Sequence, residues 1–194
     1  MPLTAEPKRM LSAEEYLELE RHAEDRHEYF RGEIFAMTGG TRRHAQIAGN
    51  LVRELGAALR DRPCLVVGSD LRIAIPALDL YTYPDVAVVC GPARFTDERE
   101  ESLENPGVIV EVLSPSTESY DRGRKFQHYK AISSLEHYVL VSQDGPLVEH
   151  FARQAGGGWL MTEHRRGERL ELKALGVSIA VDEIYLKVFD APAS

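Results

Sequence analysis

Residues 108–113 read VIVEVL. A polar stretch, 91–106, precedes this run and a turn cluster, Ser114–Ser119, follows it. An apolar run this short between breakers has the length of one strand with buried surroundings. Its fourth residue, Glu111, is a carboxylate. Burying a carboxylate is costly unless a partner or a cation compensates it. The chain must therefore bring something against Glu111, and what it brings bears on function.

The flanking segments define the frame. Ser12 caps a short helix running to about Arg21, with Glu15 placed to complete a capping box. HEYFRGEIFAM (27–37) reads as a strand pair turning near Arg31-Gly32. From Arg42 to Arg60, Ala45, Ala48, Leu51, Val52, Leu55 and Leu59 recur at helical spacing. Residues 64–75 and Pro84–Cys90 read as strands, 120–132 as a helix weakened by Gly123, and 136–142 as a strand. Leu147–Arg153, Trp159–His164 and Arg169–Leu172 suggest a small antiparallel meander. The expected architecture is a single α/β (α+β) domain over residues 1–194. It has a mixed sheet, a core at about 42–142, antiparallel β additions at both ends and a C-terminal meander at about 147–172.

If 84–90 and 107–113 are antiparallel neighbours, Asp85 and Glu111 lie almost equidistant from the middle of the 91–106 connection. The simplest register sets them opposite one another, roughly 5 Å apart. Two carboxylates at that distance repel, and a divalent cation between them reverses the sign. Pro84 suits a strand's first position, which puts Asp85 at the strand mouth. Hard oxygen ligands with retained water point to Mg²⁺ or Mn²⁺. On the following helix Asp121, Lys125 and Tyr129 are four apart and share a face. A helix packed back on the strand carries Lys125 toward the same mouth. Two carboxylates, a cation and a lysine are the parts of metal-assisted phosphodiester hydrolysis.

Bland readings stand beside these. Asp85 suits a turn after Pro84, and Glu111 suits a solvent-facing strand position. Asp121–Lys125 suits an ordinary surface ion pair, and Asp121 suits a helix cap. His44, at the start of the 42–60 helix, is either a hydrogen-bonded structural histidine or a site-lining base. Arg42 and Arg43 oppose the helix dipole there, which fits a visiting phosphate or a solvated loop. Glu33 reads equally as a metal-facing or a surface residue.

Glu28-Tyr29, Gly32-Glu33, His44, Pro84-Asp85, EVLSPST (111–117), Asp121, Lys125 and Tyr129 together resemble the Uma-two family of restriction-endonuclease-like proteins, within the PD-(D/E)xK nuclease superfamily. The resemblance covers residues 12–142. It implies an αβββαβ restriction-endonuclease-like core, Mg²⁺-dependent DNA cleavage and frequent homodimers. Asp85 and Glu111 would be the metal ligands, with the Val112 carbonyl beside them. The superfamily's usual lysine, two residues after the glutamate, is here Leu113. The resemblance puts Lys125, on the next helix, in that role.

A net charge of -8 and a pI near 5.4 argue against a generally basic nucleic-acid coat. The acidic surface and Leu113 also fit a rival: a nuclease-fold protein that lost catalysis and binds nucleic acid or protein. Cys64 and Cys90 show no zinc spacing and read as core thiols of a reducing compartment. With no apolar leader and no run of membrane-spanning length, a cytoplasmic protein without membrane association is expected.

Overall fold

A computed structural model describes residues 10–37 and 39–189. The first nine residues, part of the stretch read for a leader, lie outside them. Among the described residues no helix is long and apolar enough to cross a membrane.

Helix α1 (Ala13–His22) starts with the expected box. The Ser12 side chain accepts the Glu15 N–H at 3.1 Å, and Glu15 Oε2 accepts the Ser12 N–H at 2.9 Å. Strands β1 (His27–Phe30) and β2 (Glu33–Ala36) form the expected hairpin. Arg31 and Gly32 both take positive φ, 49° and 89°. That pair is the backbone signature of a two-residue turn whose twist suits a hairpin.

Helix α2 (Arg42–Leu59) follows, capped by Thr41. The strand expected over 64–75 breaks at Ser69-Asp70 into β3 (Cys64–Gly68) and β4 (Arg72–Ile75). The break sends the two halves into different sheets. Strands β5 (Leu80–Thr82), β6 (Val86–Cys90), β7 (Ser102–Leu103) and β8 (Val108–Val112) come next. A segmented helix runs through Glu118–Tyr120, a π-helical turn at Asp121–Lys125, and Phe126–Tyr129. Strands β9 (His137–Val141), β10 (Leu147–Arg153), β11 (Trp159–Arg165), β12 (Arg169–Leu172) and β13 (Val177–Ala180) complete the sheets, and a short helix, Val181–Ile184, follows.

The main sheet has the order β11-β10-β9-β8-β6-β3. Its β8–β9 pair is parallel, bridged by the segmented helix, and the other pairs are antiparallel. The sheet is thus mixed, as expected. A second sheet, β2-β1-β5-β4-β7, holds the N-terminal hairpin.

Both faces of the main sheet are covered. Val86, Val88, Val108, Val110, Val112, Val139 and Val141 pack against Ile47, Leu51, Leu55 and Leu59 of α2. Ala87, Val89, Ile109, Leu113, Tyr138 and Leu140 pack against Phe126 and Tyr129, and against Ile73, Ile75 and Leu80 of the second sheet. Strand side chains alternate between faces. Glu111, between Ile109 and Leu113, therefore belongs to the second face.

Two expectations are corrected. The C-terminal meander stops after β11, and β12 pairs with β13 instead. Leu170, Leu172 and Ile179 bury themselves in the cluster that covers α2, and this outweighs continued pairing on β11. Cys64 and Cys90 are not free thiols. They lie opposite one another in the β3–β6 register and are joined by a disulfide. The cysteines therefore lend no support to a reducing compartment.

The C-terminal hairpin is held to the sheet by buried imidazoles. The Ala174 N–H donates to His137 Nε2 at 3.2 Å, which leaves His137 Nδ1 to donate to His150 Nε2 at 2.8 Å. Burial pushes both rings down to about 4, and for His150 the neighbouring His137 and His164 add to it. A depressed histidine pKa stabilises the fold above its unfolded value, near 6.5, and that stability is lost as pH falls through the folded value. The expected loss is on the order of 3 kcal/mol per ring. Urea unfolding of the wild type should therefore weaken steeply between pH 6.5 and 4. A His150→Leu protein should show a shallower slope, and identical slopes would contradict the account.

Candidate active site

The observed β6–β8 pairs are Val86↔Val110, Ala87↔Ile109 and Val88↔Val108. One further step along the same register sets Asp85 opposite Glu111, where the sequence places it. Asp85 Oδ2 accepts the Val112 N–H at 2.6 Å, which locks the carboxylate to the end of β8. Glu111 is 3% exposed.

What faces Glu111 is the segmented helix. Lys125 Nζ lies 2.9 Å from Glu111 Oε1, 3.3 Å from Glu28 Oε1 and 3.8 Å from Asp121 Oδ1. The Tyr129 hydroxyl donates to the same Glu111 oxygen at 2.9 Å. Asp121 and Lys125 are both buried, so the surface ion-pair reading fails for them. Asp121 does not cap the helix either; the first helical residues follow Thr117. The π turn falls on Asp121–Lys125, the stretch that supplies these two side chains. Such single turns recur at functional sites. Gly123 at its centre tolerates the distortion that weakened the expected regular helix.

His44 closes the other side. Its Nε2 lies 3.2 Å from Asp85 Oδ2. The Thr41 hydroxyl accepts the His44 N–H at 3.1 Å and donates to Gln143 Oε1. Gln143 Nε2 in turn donates to the Leu113 carbonyl at 2.6 Å. This chain of bonds fixes the start of α2 against the end of β8, so the imidazole stays over Asp85. These side chains share a cleft of about 370 Å³, with Tyr83 and Tyr120 also on its walls.

The electrostatics are unbalanced. Four carboxylates, Glu28, Asp85, Glu111 and Asp121, share the cleft with one lysine and one histidine. Burial raises the Glu111 carboxyl well above the usual range, against the pull of Lys125, and the neighbouring Asp121 and Asp85 push the same way. Burial likewise raises Asp121. Lys125 is held well above its ordinary value: burial opposes its charge, but Glu111, Tyr129, Glu28 and Asp121 outweigh it. The hydrogen bond to Asp85 raises His44. Burial pushes the Tyr120 hydroxyl up to about 12. The cleft therefore carries surplus negative charge that one lysine does not neutralise.

Among the described residues no three His, Cys, Asp or Glu side chains stand together as a metal cage. The donor set nonetheless suits a hard cation. The contacts above engage Oδ2 of Asp85 and Oε1 of Glu111. The second oxygen of each carboxylate takes part in none of them. Mg²⁺ is commonly bound by one or two carboxylates plus water and phosphate, not by an all-protein cage.

Three residues picked from the sequence do not line the cleft. Glu33 pairs with Phe30 in the hairpin, away from it. Arg42 donates to the Val188 carbonyl at 3.0 Å, and Arg43 stacks over the Phe189 ring at 5.2 Å. Both arginines thus serve the segment after the short C-terminal helix. The carboxylate from the hairpin that does arrive is Glu28. It also accepts from the Thr82 hydroxyl and from the Tyr83 N–H at 3.4 Å. Strand alternation gave no signal here: Glu28 and Phe30 on β1, and their partners Phe35 and Glu33 on β2, are each two residues apart, so both glutamates lie on one face of the hairpin.

The fold is restriction-endonuclease-like. A crystal structure of "a putative nuclease belonging to DUF820" from Anabaena variabilis ATCC 29413 matches it with a TM-score of 0.71 at 17% identity, covering 90% of this chain and 97% of that one. The family model Uma2, described as "Putative restriction endonuclease", matches residues 13–182, and the chain belongs to that family. Two relatives from Synechocystis sp. (strain ATCC 27184 / PCC 6803 / Kazusa) are similar along most of their length. "Uncharacterized protein slr1290" is 41% identical over 175 residues, 90% of this chain and 91% of the relative. "Uncharacterized protein sll1609" is 36% identical over 165 residues, 85% and 93% respectively.

Removing the lysine tests the electrostatic reading. Lys125→Met leaves buried carboxylates without their cation, a loss on the order of 3–5 kcal/mol near pH 8. A carboxyl with a raised folded-state pKa favours the fold at low pH, and that advantage is lost as pH rises through the folded value. The penalty in Lys125→Met should therefore shrink on going to pH 5, as Glu111 takes up a proton. Chemical denaturation at the two pH values checks this, and a pH-independent penalty would contradict it.

Proposed function

We propose that the protein is a metal-dependent endonuclease that hydrolyses DNA phosphodiester bonds, using Mg²⁺ or Mn²⁺. Asp85, Glu111 and the Val112 carbonyl would hold the ion. The bound ion supplies an activated water and stabilises charge on the phosphate. Asp85, anchored through Oδ2 by the Val112 N–H and by His44, would offer its other oxygen to the ion. Tyr129 and Lys125 fix the orientation of Glu111. Lys125 orients the attacking water and offsets charge on the phosphate. Asp121 and Glu28 keep Lys125 protonated. His44, whose hydrogen bond to Asp85 favours its protonated form, is suited to pass a proton to the leaving oxygen. The chain would act as one unit over its whole length, and on the resemblance alone as a homodimer.

The observation that carries this reading is the convergence of Asp85, Glu111 and Lys125 from three elements into one cleft with surplus negative charge. A merely structural buried pair needs neither the second carboxylate opposite nor two more acids around the same lysine. Family membership supports the nuclease assignment, since the family's description is of that activity.

The test uses Asp85→Asn, which keeps the acceptor for Val112, beside Asp85→Ala. Titration calorimetry should show Mn²⁺ binding in the wild type and its loss in both variants. Cleavage of plasmid DNA should fall at least about 100-fold while circular dichroism stays native. Undiminished cleavage by Asp85→Ala would sink the assignment.

A further inference from the structure

One aromatic ring on the cleft wall has no structural use. Phe35 is 47% exposed and belongs to neither apolar cluster. A single exposed apolar side chain is ordinary. The position of this one is not. Phe35 is the direct cross-strand partner of Glu28 in the β1–β2 hairpin. Directly opposed residues in an antiparallel pair share a face, about 5 Å apart. Glu28 reaches Lys125 at 3.3 Å. The ring therefore stands one side chain away from the lysine, and it lines the same cleft. Ala36 and Met37 extend the apolar wall from it.

The rest of the lining restricts what such a ring can serve. Affinity for an uninterrupted duplex comes mainly from many cationic contacts to phosphates. Here the cleft offers Lys125 and His44, against Glu28, Asp85, Glu111 and Asp121. Lys125 is already shared among three of those carboxylates. A cleft of about 370 Å³ lies at the small-molecule end of binding sites, not at the scale of a duplex groove. Base stacking on an aromatic ring supplies affinity without cations, and only an unpaired base presents its face.

We propose that Phe35 is a stacking platform for an unpaired base, and that the cleft takes single-stranded DNA, such as a frayed end, an overhang or a loop, in preference to intact duplex. This rests on the phosphodiesterase reading of the same site. In it the metal pair and Lys125 engage one phosphate while the adjacent base lies on Phe35. Phe35 is then a substrate-positioning residue that fixes which strand form is cut.

The experiment uses the full chain and a short single-stranded oligonucleotide carrying 2-aminopurine, whose fluorescence falls when the base stacks. Ca²⁺ replaces Mg²⁺ in the binding assay. The wild type and Phe35→Trp should quench the probe. Phe35→Ala and Phe35→Leu should bind it about 5- to 100-fold more weakly, the range expected for one lost stack. Leucine separates ring stacking from simple apolar contact. In Mg²⁺, KM for single strands should rise in Phe35→Ala with kcat nearly kept, and wild-type cleavage of blunt duplex should be slower than of an overhang. Equal quenching by wild type and Phe35→Ala overturns the proposal, as does a preference for intact duplex. If the wild type cleaves no DNA form, the nuclease reading fails by itself, and the quenching still decides whether the ring stacks a base.

Discussion

The ion pair between Lys125 and Glu111 is the contact on which the site depends. It joins the centre of the main sheet to the segmented helix at a place where neither side chain meets much water. A buried pair of this kind is weak evidence for stability, because desolvating two charges offsets most of their attraction. Its retention in the middle of an otherwise apolar strand asks for another explanation. Tyr129, Glu28 and Asp121 all address the same two groups. The arrangement fixes the orientation of Glu111 and Lys125 at the expense of an unbalanced charge, which is what the proposed cation site would require.

The scaffold supports that arrangement from several directions. β8 presents Glu111, the entry to β6 presents Asp85, the π turn presents Asp121 and Lys125, and the N-terminal hairpin presents Glu28. The chain Thr41–Gln143–Leu113 holds the start of α2 in place, so that His44 meets Asp85. The apolar faces behind these side chains hold the elements together. The cleft lies where the two sheets and two helices meet.

Much of this was legible in the sequence. The near-equal distances of Asp85 and Glu111 from the middle of the 91–106 connection were enough to set the register that β6 and β8 adopt. The α1 capping box and the hairpin turn at Arg31-Gly32 were equally local, and both formed as read. What failed was non-local. The break at Ser69-Asp70, which moves half of a strand into another sheet, depends on partners distant in sequence. So does the desertion of β11 by β12 in favour of packing beneath α2. Arg42 and Arg43 looked surplus because the carbonyl and ring they serve, on Val188 and Phe189, belong to a segment with little periodicity. Glu28 was visible only as part of a family string, since nothing local distinguishes it from Glu33. The disulfide was missed because the spacing of Cys64 and Cys90 says nothing until β3 and β6 are paired.

The central claim is that Asp85 and Glu111 are two halves of one cation site. A crystal soaked in Mn²⁺ tests it most directly through anomalous scattering. The account predicts a single strong peak within coordination distance of a carboxylate oxygen from each residue and of the Val112 carbonyl, with Lys125 still on Glu111. An empty cleft at saturating Mn²⁺, or a peak bound elsewhere on the acidic surface, would contradict it.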